Sequence, residues 1–292
     1  MTDRRRLVKV PASSANLGPG FDVLAAALDI HLELEVTESG HFEVEPGDDG
    51  LPADRDNLCV RAFERLHPAD GLRFEIRSEI PVARGLGSSA AAIVAGLLAA
   101  DHMYELALDP ADVYRHAVEL EGHPDNVAAA LFGGFAVSPA SPDTESPVRL
   151  EPPEGVEGVL AIPADEVATE AARAALPAEV PMEDAVANIA AASHLVLGIE
   201  RSDLTLISQG LRDRLHQQRR AAVYPRSMEL LSLVGDVGAI GATISGAGPA
   251  VLFWCFWQDT GKVVDALSKR AGEEVEVRRA RFTPLGADVP EL

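Results

Sequence analysis

Glu121-Gly122-His123-Pro124-Asp125-Asn126 brings a carboxylate, an imidazole and an Asp-Asn pair together where a helical pattern stops. Such residues can ligate Mg²⁺ through oxygen and meet a small polar substrate. The same stretch also reads as a helix stop followed by an Asx-type turn into the next helix. Three glycine-rich segments accompany it: Pro11-Ala12-Ser13-Ser14-Ala15-Asn16-Leu17-Gly18-Pro19-Gly20-Phe21-Asp22, residues 81–89, and Ser245-Gly246-Ala247-Gly248-Pro249. Each follows an apolar, strand-like run. In the second, glycines let the backbone approach a ligand closely, and Ser88 and Ser89 can open the next helix. Free N–H groups and the helix dipole would then suit a phosphate. A tight strand-to-helix turn with Ser as N-cap uses the same residues. The acidic cluster favours the phosphate reading, because Mg²⁺ carried by ATP needs only one or two protein oxygens, and Glu121 with the Ser89 hydroxyl would supply them.

The common nucleotide fingerprints are missing. No G-x-x-x-x-G-K-[ST] occurs, and neither Gly18-Pro19-Gly20 nor Gly246-Ala247-Gly248 completes G-x-G-x-x-G. Gly87-Ser88-Ser89-Ala90-Ala91 is a near miss to a nucleophile elbow that would make Ser89 a hydrolase nucleophile. That reading leaves the first and third segments idle, and its candidate histidines, His194 and His216, lie on helical stretches rather than at strand ends.

The elements that must position these residues can be read from periodicity. Residues 30–36, 41–45 and 72–80 alternate apolar and polar side chains as half-buried strands do, the last stopped by Pro81. Residues 58–66 have helical spacing, 88–103 form an Ala/Leu-rich helix, and a helix over 109–121 is opened by Pro110 and closed by Gly122. Residues 138–155 are rich in proline and lack periodicity, which predicts an exposed connection near a domain boundary. Beyond it come a buried strand (156–162), several helices between 169 and 234, strand–loop–strand (241–256), a helix (259–271) and a strand (274–282). The mixture predicts an α+β or α/β fold.

The chain has 292 residues, enough for about two domains with cores of their own. With 46 acidic against 25 basic residues the formal charge is −21, and no basic block is present to neutralise a nucleic-acid backbone. The longest apolar run, residues 90–100, is short of the roughly 18 residues of a membrane span. Residues 1–10 carry Arg4, Arg5 and Arg6 without a following apolar segment, so we expect no secretory signal and a cytoplasmic protein. The cysteines, Cys59 and Cys255, sit in separate apolar segments and read as buried small hydrophobes. The excess acid is spread along the chain, and only Lys9, Lys262 and Lys269 are lysines among the 25 basic residues, which fits a salt-adapted (halophilic) source.

In wording and order the four motifs resemble the GHMP small-molecule kinases, and within them the homoserine kinases. Residues 11–22 match PASSANLGPGFD, the second segment matches P-x-x-x-G-L-G-S-S-A, residues 121–126 match E-G-H-P-D-N, and 245–249 match S-G-A-G-P. The resemblance implies a two-domain α+β fold: a left-handed βαβ N-terminal domain (1–146) and a ferredoxin-like C-terminal domain (147–292), with the site between them. It implies ATP and Mg²⁺, with Pro81, Val82, Ala83, Arg84, Gly85, Leu86, Gly87, Ser88, Ser89, Ala90 and Ala91 wrapping the phosphates, Asn57 near the base, and Ser89 and Glu121 holding the metal.

The activity it implies is phosphorylation of L-homoserine to O-phospho-L-homoserine for threonine biosynthesis; alternatives are another small alcohol as acceptor or a silent binding paralogue. A zwitterionic amino alcohol needs a carboxylate binder, an ammonium binder and a hydroxyl partner. Arg173 and Arg220 match the family's carboxylate-binding arginines, a task that suits a bidentate fork. Asp22 and Asn16 would take the ammonium and orient the chain, and His123 would face the hydroxyl. Gln218-Arg219-Arg220 stands where the family commonly has Pro-Tyr-Arg, which leaves Arg219 as the alternative to Arg220. His123, Asp125 and Asn126 are the candidates at the reacting end, although the hydroxyl proton can also pass to the phosphate without a dedicated base. A homodimer is left open, and neither nucleic acid nor membrane is expected as a partner.

Overall fold

The computed structural model describes residues 4–48, 50–141 and 145–290. Two sheets carry the architecture. The first is built on β2 (Leu24–Glu38), which pairs antiparallel with β1 (Arg5–Ala15) on one edge. On its other edge it meets β4 (Leu72–Ser78) along residues 32–38 and β5 (Phe135–Val137) along 24–26. The short β3 (Glu43–Glu45) adds in parallel to β4, and β6 (Val148–Leu150) adds antiparallel to β5. The first sheet therefore continues past residue 146, where the sequence suggested a division, and the crossing to the second sheet follows Leu150. Residues 142–144 of the proline-rich connection lie outside the described residues.

Strand β1 extends into what reads as a loop. Residues 11–15 pair with β2, and the register shifts between Pro11 and Ala12. A bulge at that point accommodates a proline that an uninterrupted ladder would reject. Helices α2 (Ser88–Tyr104) and α4 (Pro124–Phe132) pack on this sheet, α1 (Leu58–Glu64) packs against α2, and α3 (Pro110–Glu121) against α2 and α4. Helix α2 is buried on nearly all sides, which explains why its sequence lacks a polar face.

The second sheet has the order β10-β7-β9-β8, antiparallel throughout: β7 (Val156–Pro163), β8 (Gly241–Ile244), β9 (Val251–Phe256) and β10 (Val275–Ala280). Five helices fill the first crossover: α5 (Thr169–Ala174), α6 (Met182–Arg201), α7 (Leu204–Gly210), α8 (Pro225–Ser232) and α9 (Val234–Val237). Helix α10 (Thr260–Arg270) fills the second, giving the β-α-β-β-α-β chain order of a ferredoxin-like unit. Side chains alternate across β7 and β9: Leu160, Ile162, Leu252 and Trp254 join the core of the first sheet, whereas Val159, Ala161, Val251 and Phe253 face a second core with Val263 and Leu267 of α10. Both faces are buried, so these strands read as continuous apolar runs. Phe135, Trp254 and Phe282 meet between the sheets with ring centroids 4.8–5.7 Å apart, a contact worth about 0.5–1.5 kcal/mol per pair beyond burial. The tail returns to the first sheet, where Lys9 and Asp288 exchange two backbone hydrogen bonds of 2.8 Å.

Candidate active site

The three glycine-rich segments, far apart in sequence, bind one another through the backbone. Ser13 N donates to Leu86 O (3.1 Å), Gly246 N to Ala15 O (3.1 Å) and Ala250 N to Arg84 O (3.3 Å). Side chains add Asn16 Nδ2 to Gly246 O (2.8 Å) and Ser245 Oγ to Gly85 O (2.6 Å). Two glycines of the second segment permit this approach. Both have positive φ, and an added Cβ would lie 2.2 Å from Ser245 O at Gly85 and 2.1 Å from Ser13 Oγ at Gly87. The segments enclose one side of a cavity of about 590 Å³, whose other walls come from β4, residues 46–48 and 51–52, the start of α1, the end of α3, the start of α4, α5 and Arg220.

Helix α2 starts at this cavity from Gly87, whose lack of a side chain leaves the first N–H groups without a side-chain cap. With the helix dipole they offer an anion a place to bind; the N-cap is Gly87 and not a serine. Val82, Ala83, Gly85, Leu86, Gly87, Ser88 and Ser89 line the cavity, as expected of a phosphate loop. Pro81, Arg84, Ala90 and Ala91 do not. Ala90 and Ala91 are buried beneath the loop in the core. Arg84 turns away to Ala164 O (2.6 Å) and Glu166 (3.3 Å), and Pro81 borders the same neighbouring recess. Arg84 thus fastens the loop to the end of β7.

Asn57 lines the cavity with its amide already engaged. Its Oδ1 accepts from Cys59 N (3.0 Å), capping α1, and its Nδ2 donates to Pro52 O (2.9 Å). Any base bound there meets the walls that Asn57 shapes rather than a free amide. Both cysteines are buried, and burial pushes the Cys59 thiol up to about 12, so it stays protonated.

Ser89 Oγ donates to Glu121 Oε1 (2.7 Å), joining the start of α2 to the end of α3. Burial raises the Glu121 pKa, and the hydrogen bond from Ser89 opposes it only in part. Two adjacent oxygens, one on a partly buried carboxylate without a basic partner among the described ion pairs, fit a cation whose other ligands are phosphate oxygens. Among the described residues no three His, Cys, Asp or Glu side chains cluster as a self-sufficient metal site.

At the start of α4, Asp125 is buried and its pKa is pushed up to about 7 by desolvation, which the hydrogen bond from Asn126 N (2.7 Å) offsets in part. Asn126 Oδ1 accepts from Ser13 Oγ (2.8 Å) beneath Gly87, so Asn126 ties α4 to β1 under the phosphate loop. His123 lies half-buried at the N-cap of α4. Burial first, and the Arg173 cation second, push its pKa down, so the ring faces the cavity neutral.

Arg173, from α5, makes two hydrogen bonds to Asp22, with Nη1 3.0 Å from Oδ2 and Nη2 2.5 Å from Oδ1. Asn16 sets Asp22 in place: its Oδ1 accepts from Asp22 N (3.0 Å) while its Nδ2 holds Gly246 O. With both amide groups occupied, Asn16 orients Asp22. Asn16, Leu17 and Asp22 all have positive φ, a conformation costing a non-glycine residue about 1–2 kcal/mol and held here by those bonds. Of the two adjacent arginines, Arg220 lines the cavity at 2 % exposure. Arg219 points elsewhere, bonding Asp184 (2.8 Å) and Arg214 O. Of the two, Arg220 is the one that lines the cavity.

Three residues support the site in roles that sequence reading did not assign. Phe21 packs against both Arg173 and Arg220. His216, buried, donates from Nε2 to Gly18 O (2.7 Å). Asn188 donates to Pro19 O (2.7 Å) and accepts from Arg214 N (2.9 Å). An Asn within an otherwise Ala-rich helix was the available signal, since Asn is a poor helix former.

The GHMP kinases N terminal domain model matches residues 57–134 and the GHMP kinases C terminal model matches 195–275. The chain is 39 % identical over 293 aligned positions to a homoserine kinase of Moorella thermoacetica, covering 97 % of this chain and 99 % of that one. It is 41 % identical to a homoserine kinase of Streptomyces coelicolor, covering 98 % and 94 %. A crystal structure of homoserine kinase from Cytophaga hutchinsonii superposes with a TM-score of 0.89 at 29 % identity, over 99 % of this chain and 98 % of that one.

Proposed function

Because this chain belongs to the GHMP kinase family, we propose that it transfers the terminal phosphoryl group of ATP to the hydroxyl of L-homoserine, giving O-phospho-L-homoserine on the way to threonine. The observation that carries the reading is a single cavity lined by a phosphate-type loop, a Ser–Glu oxygen pair, and a carboxylate with two guanidiniums. That set matches the groups of the two reactants one by one.

Backbone N–H groups at the start of α2 and along residues 82–89 hold the phosphates, and the glycines there let them approach. Ser89 and Glu121 hold the cation. When bound, Mg²⁺ neutralises phosphate charge and helps stabilise the charge that develops during transfer. Asp22 receives the ammonium of the acceptor, Arg173 and Arg220 receive its carboxylate, and Asn16 keeps Asp22 aimed. His123, neutral, can accept a hydrogen bond from the acceptor hydroxyl and orient it. Asp125 and Asn126 stabilise the turn that presents His123. Positioning and electrostatics supply most of the acceleration in phosphoryl transfer, so the hydroxyl proton can leave on the phosphate itself.

The residues with Arg, Asp and His in these places favour an amino-acid alcohol over a sugar or a simple acid. A panel assay following ADP release tests this: L-homoserine should support turnover, and shikimate, mevalonate and galactose should be inert. Comparable rates with any of those three would overturn the assignment. Among the described residues no helix is long and apolar enough to cross a membrane. We place the reaction in the cytoplasm, where ATP is at hand, and in a salt-rich cell, on the grounds of the net charge of −21.

A further inference from the structure

Arg220 is a buried cation without a carboxylate partner among the described ion pairs. It is 2 % exposed, and its Nε has no hydrogen-bond partner. A second guanidinium, that of Arg173, shares the site, and Arg173 also has a buried Nε without a partner. Like charges brought together need something between them that attracts both. Asp22 attracts both, and Tyr224 also favours the Arg220 cation, but the group in contact with both guanidiniums through a ring is Phe21: its centroid lies 4.9 Å from Arg220 Cζ and 5.3 Å from Arg173 Cζ. Both distances are within the range where an aromatic face attracts a cation, and a planar guanidinium is the cation best shaped for it.

The ring is itself held. The His216 imidazole lies 5.2 Å from it at a 35° tilt, and His216 Nε2 is bonded to Gly18 O in the same loop. Asp213, whose side chain is fully buried, accepts from the backbone N–H groups of Leu215, His216 and Gln217 and so fixes the turn that carries both His216 and Arg220. One rigid turn thus supplies Arg220 and the support for the ring against which Arg220 rests.

Building on the homoserine reading above, we propose that Phe21 is a positioning residue for substrate selection: its ring holds Arg173 and Arg220 so that together they grip an amino-acid carboxylate. Phe21 touches no reacting atom in this role. Its contribution belongs to the carboxylate and is absent from any acceptor that lacks one.

The test compares kcat/KM for L-homoserine with kcat/KM for its decarboxylated analogue, aminopropanol, in wild type, Phe21→Leu and Phe21→Tyr. Leucine keeps an apolar side chain without a ring, and tyrosine keeps the ring. The wild-type preference for homoserine should fall about tenfold in Phe21→Leu, mostly through KM for homoserine, and stay within about threefold of wild type in Phe21→Tyr. KM for ATP should be unchanged in both. A purely structural role would lower both acceptors alike and leave the ratio intact. An unchanged ratio in Phe21→Leu, or a ratio lost equally in the two variants, overturns the proposal while wild-type turnover of homoserine still stands. A wild-type enzyme that does not phosphorylate homoserine overturns the functional reading instead, and this proposal with it.

Discussion

Arg173 grips both oxygens of Asp22, so the residues assigned to opposite ends of a zwitterion are joined to each other across 151 positions of sequence. An entering amino acid offers each of them a replacement: its ammonium for Asp22 and its carboxylate for Arg173. The exchange conserves charge, and it ties α5 to the first loop through the same atoms that meet the substrate. Alanine at Arg173 removes charge and fork together, and lysine removes only the fork. With charge-assisted hydrogen bonds worth roughly 1.5–3 kcal/mol each, Arg173→Ala should lose at least about tenfold in kcat/KM, chiefly in KM for homoserine, with KM for ATP little changed. Asp22→Asn should lose a similar factor, and the double variant less than the product of the two. Additive losses would show that the pair is incidental. Arg219→Ala is the control, since Arg219 pairs with Asp184 away from the cavity, and it should leave KM for homoserine near wild type.

Most of this site was legible because it is written in short stretches of backbone-demanding residues. Gly85 and Gly87 announce a loop that other chain must approach closely, and Ser89 with Glu121 announces an oxygen pair. What the sequence hid is contact between distant stretches. Nothing local distinguishes Arg220 from Arg219; the direction of each was decided by Asp184 on α6 and by Phe21. Residues 11–15 read as loop because Pro11 and two serines interrupt the apolar alternation, yet the bulge beside Pro11 carries them into the sheet with Ser13 and Ser14 buried. Asn57 matched a family position, and only the structure reveals that its amide is consumed in capping α1.

The buried carboxyl of Asp125 makes stability depend on pH in a defined direction. Its pKa of about 7 in the folded chain stands above the ordinary 3.8. Between those values the folded state keeps a proton that the unfolded state releases, so raising the pH through this window costs stability, and the loss levels off above about 7. Asp125→Asn has no proton to lose there, and its Oδ1 can still accept from Asn126 N. From pH 5 to pH 8 the unfolding free energy of wild type should therefore fall more than that of Asp125→Asn, by a difference of the order of a few kcal/mol, and its melting temperature should fall more as well. Parallel pH profiles would mean that Asp125 ionises normally.

Glu121→Gln keeps shape and a hydrogen-bond acceptor for Ser89 but removes the negative charge offered to the metal. Turnover should fall by an order of magnitude or more at limiting Mg²⁺, with the half-saturating Mg²⁺ concentration raised. Folding stability should not fall, since burial already disfavours the charged carboxylate. If the variant turns over like wild type at limiting Mg²⁺, Glu121 is only the last residue of α3.

Salt acts on this protein in two opposed ways, and their relative size can be read from the slope of melting temperature against KCl. Exposed ion pairs such as Arg5–Glu35 and Lys262–Asp259 weaken as salt rises, each contributing about 0–1 kcal/mol at most. Repulsion within a net charge of −21 also weakens, and this favours the folded chain. The repulsion is locally concentrated: Asp48, Glu166, Glu273, Glu274 and Glu276 line one recess in which Arg84 is the lining cation. At 0.01 M salt the screening length is about 30 Å, long enough for charges across the whole fold to repel; at 1 M it is about 3 Å, shorter than most of their separations. The pairs act over a few ångströms and lose less than the long-range repulsion does. The melting temperature should therefore rise from dilute buffer to molar KCl, most steeply at the dilute end where screening changes fastest. A temperature that stays level or falls would mean that the ion pairs dominate, and would remove the case for a salt-adapted source.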